Sequence, residues 1–443
     1  MIVIALGVAL RVVISFVILA GMPQGGDGPS YSQQAQDVLA GTMSYWYFPP
    51  GTALSVVPFY WAFGPSVGTD HLVGVVLTSG FLVAAVFLSR VMLGWGRPTF
   101  IVAVLASLYP HSLLSSPQIT SQPLAGICLA AAIAFGWECR DAWSWKRWVG
   151  ASICIAALIL TRPASAAVIG VFFIGGLILW RRRVISTKIL LGATGIMVGM
   201  VVAFVAGFMV HNEKMGHGPV LSTNVEWNIF LSNNPFTPDY KTGHFGQRRF
   251  DEISPEARSY LAHVLPHESP YAATREQRRV MSDSARSYMI SHPGTTLYRM
   301  SSRIRGFWGM DYTASRSIQN SHLISTAAFL VLLFLEGGGF LVVLLLAVTA
   351  PFILPNPMKG RWWLAMAVVA LIMAPYIVAF AQTQYHLPLI PILMLFGAIV
   401  IDHCVREPRR IWVQVRSRWL WWACIATVFA IQAEHIYYML LLL

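Results

Sequence analysis

Apolar runs recur along the whole chain, separated by short charged turns and interrupted once by a long polar stretch. A helix needs about 20 mostly apolar residues to cross the hydrocarbon core of a bilayer. Runs near 2–20, 70–93, 99–114, 122–138, 148–161, 164–180, 189–210, 329–354, 362–380, 387–402 and 419–440 approach that length. The pattern therefore predicts an all-α polytopic membrane protein with roughly eleven transmembrane helices. Gly337-Gly338-Gly339 is an ambiguous break that leaves the span count open by one or two, and 52–63 and 321–334 read as interfacial or partly inserted segments. The first run contains Arg11 and leads into Gly21-Met22-Pro23-Gln24, a length and ending compatible with a signal peptide. Reading it as a span keeps the later crossings consistent. No charged residue deep in a span has an evident partner.

The charged turns orient the chain. Arg90 and Arg97, then Arg140, Lys146 and Arg147, then Arg181, Arg182, Arg183 and Lys188 occupy alternate loops. Lys359 and Arg361 follow, then Arg406, Arg409, Arg410, Arg416 and Arg418. Short basic loops stay in the cytoplasm, which places 21–69, 115–121, 161–163, 211–322 and 381–386 outside. Three modules result: an N-terminal transmembrane module over 1–210, a mainly helical extracytoplasmic loop domain over 211–322, and a C-terminal transmembrane module over 323–443. In the first outer loop, Tyr31, Ala35, Val38 and Leu39 share one helix face; in the long one, Val280, Met281, Ala285, Tyr288 and Met289 do the same, ending at His292-Pro293-Gly294.

Composition narrows the class further. With 56% hydrophobic and 11% charged residues, the chain has far less charge than the roughly 25% of a soluble domain. Disorder is excluded by the same figures, because it requires low hydrophobicity. The net charge of +12 resembles a nucleic-acid signal, yet the short loops hold much of the Lys and Arg, so no nucleic-acid partner is implied. The abundant Trp, Tyr and Phe suit aromatic belts at two interfaces. Cys128, Cys139, Cys154, Cys404 and Cys424 lie in or beside apolar runs and have no metal-site or disulfide pattern. HExxH, CxxC, GxGxxG and P-loop patterns are absent.

Chemistry-bearing residues gather at the outer side, each with an ordinary reading beside the functional one. Asp27, in Gly25-Gly26-Asp27-Gly28-Pro29, could serve as a general base or simply cap a helix that starts at the following proline. Arg162, in Thr161-Arg162-Pro163, could bind phosphate bidentately or anchor at the interface. Asn212, Asn224, Asn228, Asn233 and Asn234 offer amides for sugar hydroxyls, or form an ordinary turn-rich loop. Arg299, Arg303 and Arg305 beside Phe307-Trp308 could neutralise a lipid phosphate or anchor to headgroups of membrane lipids. His386, in Gln384-Tyr385-His386-Leu387-Pro388, could donate to a phosphate, although a lone loop histidine usually does neither that nor proton transfer. A divalent metal held by Asp27 with a His or Glu of the long loop is compatible with the sequence but has no spacing to support it.

Together these landmarks resemble the GT-C superfamily of integral membrane glycosyltransferases, in the branch of protein O-mannosyltransferases and aminoarabinose lipid A transferase. Asp27, Tyr31, Ala35 and Gly41 resemble the first-loop Asp-Glu-x-x-Tyr element, and Tyr47-Phe48-Pro49-Pro50-Gly51 the Tyr-Pro-Pro-Gly element that follows. Tyr109-Pro110 with Ser121-Gln122-Pro123-Leu124, Thr161-Arg162-Pro163, Asn233-Asn234-Pro235, Ala285…His292-Pro293…Phe307-Trp308, and Tyr385-His386-Leu387-Pro388…Pro391 continue the family order. Gly28, Gln122 and Gln384 depart from it, standing where the family has Glu, Glu and Arg. Asp27 is then the one inherited carboxylate.

The resemblance implies an inverting transfer from a polyprenyl-phosphate sugar to a hydroxyl of a lipid, glycan or protein acceptor, at the outer face of the plasma (inner) membrane. By the same resemblance Asp27 is the base. Arg162, Arg303, Arg305 and His386 are the donor-phosphate ligands, and Tyr31, Tyr47, Pro50, Gln122, Asn233, Asn234 and Tyr385 are substrate-binding positions. A lipid-linked donor would also account for the absence of a nucleotide-binding motif. Competing classes are a multispanning lipid or glycan transporter or flippase, which should show paired halves, and an enzyme of the O-antigen ligase or polymerase type.

Overall fold

Helices make up the regular structure of the described residues, 1–140, 142–239, 254–264, 273–354 and 356–440 of the computed structural model. The side chains at 356–361, 410 and 439–440 lie outside the description, as do 240–253 and 265–272 of the long outer segment. Lys359, Arg361 and Arg410 of the basic loops are among those side chains. The chain begins with α1 (Ile2–Val13), extended by one wide turn to Ile18, then α2 (Gly28–Ala40), α3 (Pro50–Phe63), α4 (Val67–Leu93), α5 (Arg97–Leu108) and α6 (Pro110–Leu114). α7 (Ser121–Glu138), α8 (Trp145–Thr161), α9 (Val168–Arg181) and α10 (Thr187–Lys214) complete the first half. The outer segment holds α11 (Val225–Ser232), α12 (Pro255–Val264), α13 (Arg275–Ser291), α14 (Pro293–Phe307) and α15 (Thr313–Asn320). α16 (Thr326–Ile353), α17 (Asn356–Val378), α18 (Ile390–Arg406), α19 (Pro408–Arg416) and α20 (Trp419–Leu440) return through the membrane region.

The expected spans fall on helical structure, with the 99–114 run broken at Tyr109 into α5 and α6, and the protein is an all-α polytopic membrane protein. Among the described residues five helical stretches are individually long and apolar enough to cross: Val67–Leu93, Pro163–Arg181, Thr187–Lys214, Thr326–Ile353 and Thr383–Arg406. The others are shorter or less apolar, which a helix packed within a bundle tolerates because protein rather than lipid surrounds it. Burial separates the two kinds of position. The most apolar window of Thr383–Arg406 is 78% buried, against 17% for α10, so α18 is a central helix while α10 presents most of its surface to lipid. Ala125, Leu129, Ile155, Leu389 and Phe396 are among the residues that fill the core where α7, α8 and α18 meet.

Two sequence expectations change. The glycine triplet does not interrupt anything: α16 runs unbroken through it, from residues assigned to the interface into the span. A Cβ at Gly337 would lie 2.2 Å from Met310 Cε, and one at Gly339 2.6 Å from Pro110 Cδ. These glycines are close-approach positions that let α16 press against α6 and the 308–312 turn. Charged residues within the apolar helices do have partners. Arg11, fully buried in α1, donates to the carbonyls of Gly7 (2.9 Å) and Ala106 (3.0 Å) and to Ser112 Oγ (2.9 Å). Glu336, fully buried in α16, is joined to His111 at 2.7 Å. Both expected amphipathic helices are present, as α2 and α13, and the second is closed by a Thr274–Gln277 capping box.

The long outer segment has a small core of its own around Phe230, Leu261, Met281 and Ala285. It is fastened to the membrane bundle by Arg303, which donates to the carbonyls of Ile377 (2.9 Å) and Val378 (2.6 Å) at the end of α17. Those are carbonyls a helix C-terminus leaves unpaired, so a guanidinium both satisfies them and complements the helix dipole.

Candidate functional site

Prolines place the functional side chains. The residue before a proline is pushed out of the helical conformation. Arg162 precedes Pro163 and sits at φ −144°, ψ 92°, so α8 stops at Thr161 and the Arg162 side chain leaves the helix line. Tyr109 precedes Pro110 and adopts φ −61°, ψ 111°, separating α5 from α6 in the same way. Two glutamines then splice the Asp27 turn to the segment before α7. Gln118 Oε1 accepts from Gly25 N (2.7 Å) while its amide donates to Pro23 O (2.9 Å). Gln24 reciprocates, donating to Pro117 O (2.8 Å) and accepting from Ile119 N (2.7 Å). α15 closes the other side, and a Cβ at Gly25 would lie 2.4 Å from Ser317 Oγ.

These elements enclose an open cavity of about 1190 Å³, lined by Asp27, Tyr31, Tyr47, Gln122, Arg162 and Tyr385 among others. Ligand pockets for small molecules run to about 1,000 Å³, so the space is at the upper end of that range. Asp27 occupies the N-cap position of α2, but its side chain makes no capping hydrogen bond. The capping reading of Asp27 therefore fails on geometry. Solvent in the cavity reaches the carboxylate, while protein encloses its other sides. Burial raises the Asp27 carboxyl above its ordinary range, and the nearby Arg162 charge works against that rise. Burial, followed by the Asp27 charge, likewise pushes the Tyr31 phenol above its usual value.

Arg162 is 8% exposed. It donates to Tyr376 Oη (3.0 Å) and Ser121 Oγ (3.1 Å), and its guanidinium lies 4.9 Å from the centre of the Tyr385 ring. Its Nε is buried without a protein partner, and no carboxylate pairs with it among the described residues. A buried cation held by neutral groups has attraction to spare for an anion. Gln122 is also buried, with its Oε1 unpartnered.

Six of the expected positions are not brought to the cavity. Pro50 is buried in the first turn of α3. Asn233 donates to Ile229 O (2.9 Å) and Val378 O (3.1 Å) and accepts from Arg303 (3.0 Å). Asn234 donates to Phe230 O (2.9 Å) and accepts from Phe236 N (2.9 Å), a turn within the outer segment. Arg303 is held by backbone carbonyls and Asn233, while Arg305 pairs with Glu434 at 2.8 Å. His386 is fully buried: its Nδ1 donates to Phe307 O (2.7 Å) and its Nε2 lies 3.1 Å from Asp311. Apart from Pro50, these groups already have internal partners, which any ligand would have to displace.

Of the asparagine-rich stretch, Asn224 and Asn228 do line the cavity, while other lining residues escaped the sequence reading, including Gln24, Gln118, His111, Arg316 and Tyr376. Gln24 and Gln118 belong to no recognisable motif, and only their pairing reveals them. No group of three or more His, Cys, Asp or Glu among the described residues is arranged to hold a metal ion. Asp27 beside Gly28 and Gln122 is a poor donor set for a hard divalent cation, which takes several oxygen ligands.

Arg303 supplies a direct test of this partition. Arg303→Ala removes charged hydrogen bonds worth about 1.5–3 kcal/mol each and leaves buried carbonyls unpaired. Thermal stability in detergent should fall while polyprenyl-phosphate affinity stays at the wild-type value. A selective loss of affinity would return Arg303 to the substrate site.

No family model and no curated protein matches the chain. Among solved structures, ArnT from Cupriavidus metallidurans in the apo state is similar over 90% of this chain and 76% of its own, at 14% identity and a TM-score of 0.40. The same protein bound to undecaprenyl phosphate is similar over 91% and 79%, at 16% identity and a TM-score of 0.36. Likeness at this level leaves the function to be read from the cavity and the sequence.

Proposed function

We propose that the chain is a GT-C-type membrane glycosyltransferase, transferring a sugar from a polyprenyl-phosphate donor to an acceptor hydroxyl at the extracytoplasmic face of the plasma membrane, with inversion. The observation that carries this reading is the pairing, in one cavity, of a carboxylate that caps nothing and a buried guanidinium with no carboxylate partner among the described residues. Asp27 removes the proton from the acceptor hydroxyl as its oxygen attacks the anomeric carbon. The carbon–phosphate-oxygen bond breaks, and the electron pair leaves with the lipid phosphate. Negative charge grows on that phosphate, so a preorganised cation lowers the barrier more than it stabilises the bound donor. Arg162 supplies the cation. Tyr376 and Ser121 fix its guanidinium plane. Tyr31, Tyr47, Gln122 and Tyr385 supply hydroxyls, an amide and ring faces for the sugar.

Incubating the purified chain in lipid with a panel of polyprenyl-phosphate sugars tests the activity. Release of free polyprenyl phosphate with one sugar, dependent on an acceptor, is the expected result; no release with any member would remove the proposal. The orientation is tested separately. Ser287, exposed on α13, becomes after Ser287→Cys a target for an impermeant thiol reagent on intact cells. Labelling only after lysis would reverse the topology.

A further inference from the structure

Behind the α15 wall of the cavity lies a buried polar cluster that the mechanism above does not use. Glu336, in the middle of α16, receives four donors: His111 Nδ1 (2.7 Å), Ala314 N (3.1 Å), Ser315 N (2.8 Å) and the Ser315 hydroxyl. It thereby caps the start of α15. Asp311, also fully buried, accepts from Tyr109 Oη (2.7 Å), lies 3.1 Å from His386 Nε2, and is 3.9 Å from His111 Nδ1. The cluster thus holds two carboxylates and two imidazoles out of water. Buried charge is costly unless it is paired and hydrogen-bonded, and each carboxylate here faces an imidazole nitrogen.

His111 alone among the four lines the cavity. Its Nδ1 is committed to Glu336, while its Nε2 has no protein partner among the described residues. α6 follows the end of α5, outside the apolar helix Arg97–Leu108, and His111 lines the same cavity as Asp27. Burial works to lower the pKa of His111, but the Asp311 and Glu336 charges outweigh it and leave the ring above its ordinary value. The groups facing His111 are Glu336 from α16, Asp311 from the turn before α15, and Tyr109 from its own segment, with Arg316 of α15 on the same cavity wall.

We propose that His111 is a substrate-contacting imidazolium, oriented by Glu336, whose Nε2–H donates to a negatively polarised oxygen of the molecule bound opposite Arg162. The inference rests on the glycosyltransferase reading and deepens it, because that oxygen belongs either to the donor or to the acceptor. His111 then acts as a preorganised donor, the kind of group that is effective where charge develops in a water-poor site.

The test uses the full chain in lipid, measuring polyprenyl-phosphate binding and turnover across pH for wild type, His111→Ala, His111→Gln and Glu336→Gln. Wild-type turnover should fall on the alkaline side, since a raised imidazole pKa keeps the proton below that value and loses it above. Glu336→Gln removes one negative charge and should move the fall to lower pH. His111→Gln keeps an N–H donor that does not titrate, so it should retain part of the rate and abolish the fall. His111→Ala should lower kcat/KM by about 10- to 100-fold, as expected for a hydrogen bond to a charged group.

Weaker polyprenyl-phosphate binding in His111→Ala would place the oxygen on the donor, and a raised KM for the acceptor alone would place it there. A wild-type pH profile and kinetics in both His111 variants, with only the melting temperature changed, would overturn the proposal and leave the cluster a structural one. So would a neutral His111 ring in the 15N NMR spectrum of the resting protein at neutral pH. A wild-type chain that neither binds nor releases polyprenyl phosphate would instead remove the glycosyltransferase reading, and this ligand with it.

Discussion

Asp27→Asn should leave expression, the start of α2 and donor binding intact while turnover falls by about 10²–10⁴, the usual contribution of a positioned general base. The amide is nearly isosteric and keeps the hydrogen-bonding capacity of a cap, so a structural role would survive the change. The structure sharpens this contrast, because the Asp27 side chain makes no capping bond to lose. Asp27→Ala should therefore cost little stability, well below the 0.5–2 kcal/mol typical of a removed cap. Turnover should be lost to the same extent in both variants. Wild-type turnover in Asp27→Asn would end the proposal, since Gly28 and Gln122 leave no other acidic position of the family pattern to take over.

The pH profile gives a second reading of the same residue. Burial raises the Asp27 carboxyl, and a base works only in its ionised form. The acid limb of kcat/KM should accordingly lie above that of an ordinary carboxylate. Arg162 opposes the rise, so Arg162→Gln should displace the limb further toward neutral pH, whatever it does to the rate. An unmoved limb would separate the two residues electrostatically and weaken the case for a common site.

The helical architecture was legible because hydrophobic length is a direct physical requirement of the bilayer. Asp27 and Arg162 draw attention for a different reason: Asp27 stands between two glycines and Arg162 before a proline, where the backbone tends to leave regular structure. Arg303, Asn233 and His386 misled the sequence reading because their residue types suit phosphate or sugar equally well as they suit a buried carbonyl. Only the partners decide, and Arg303 has four acceptors of its own. Glu336 and His111 are 225 positions apart. No local pattern announces such a pair. The nearby glycine triplet was the one visible trace of it, and it signals close approach of α16 as readily as a helix break.

Arg162→Lys keeps the charge and loses the planar fork, so it should weaken polyprenyl-phosphate affinity by about 1.5–3 kcal/mol, the range for a charge-assisted hydrogen bond. In the free protein the guanidinium already spans Tyr376 and Ser121. An ammonium cannot reach both and also present an N–H to a ligand, because its three donors radiate from one point. Arg162→Ala goes further and leaves Asp27 without its nearby positive charge, so affinity and turnover should both collapse. If growing phosphate charge is what Arg162 stabilises, Arg162→Lys should lower kcat more than it weakens ground-state binding. Equal losses in binding and in kcat/KM with kcat unchanged would make Arg162 a uniform binding group. Unchanged affinity in Arg162→Ala would reduce it to an interfacial anchor, a role that its 8% exposure and its unpartnered Nε argue against.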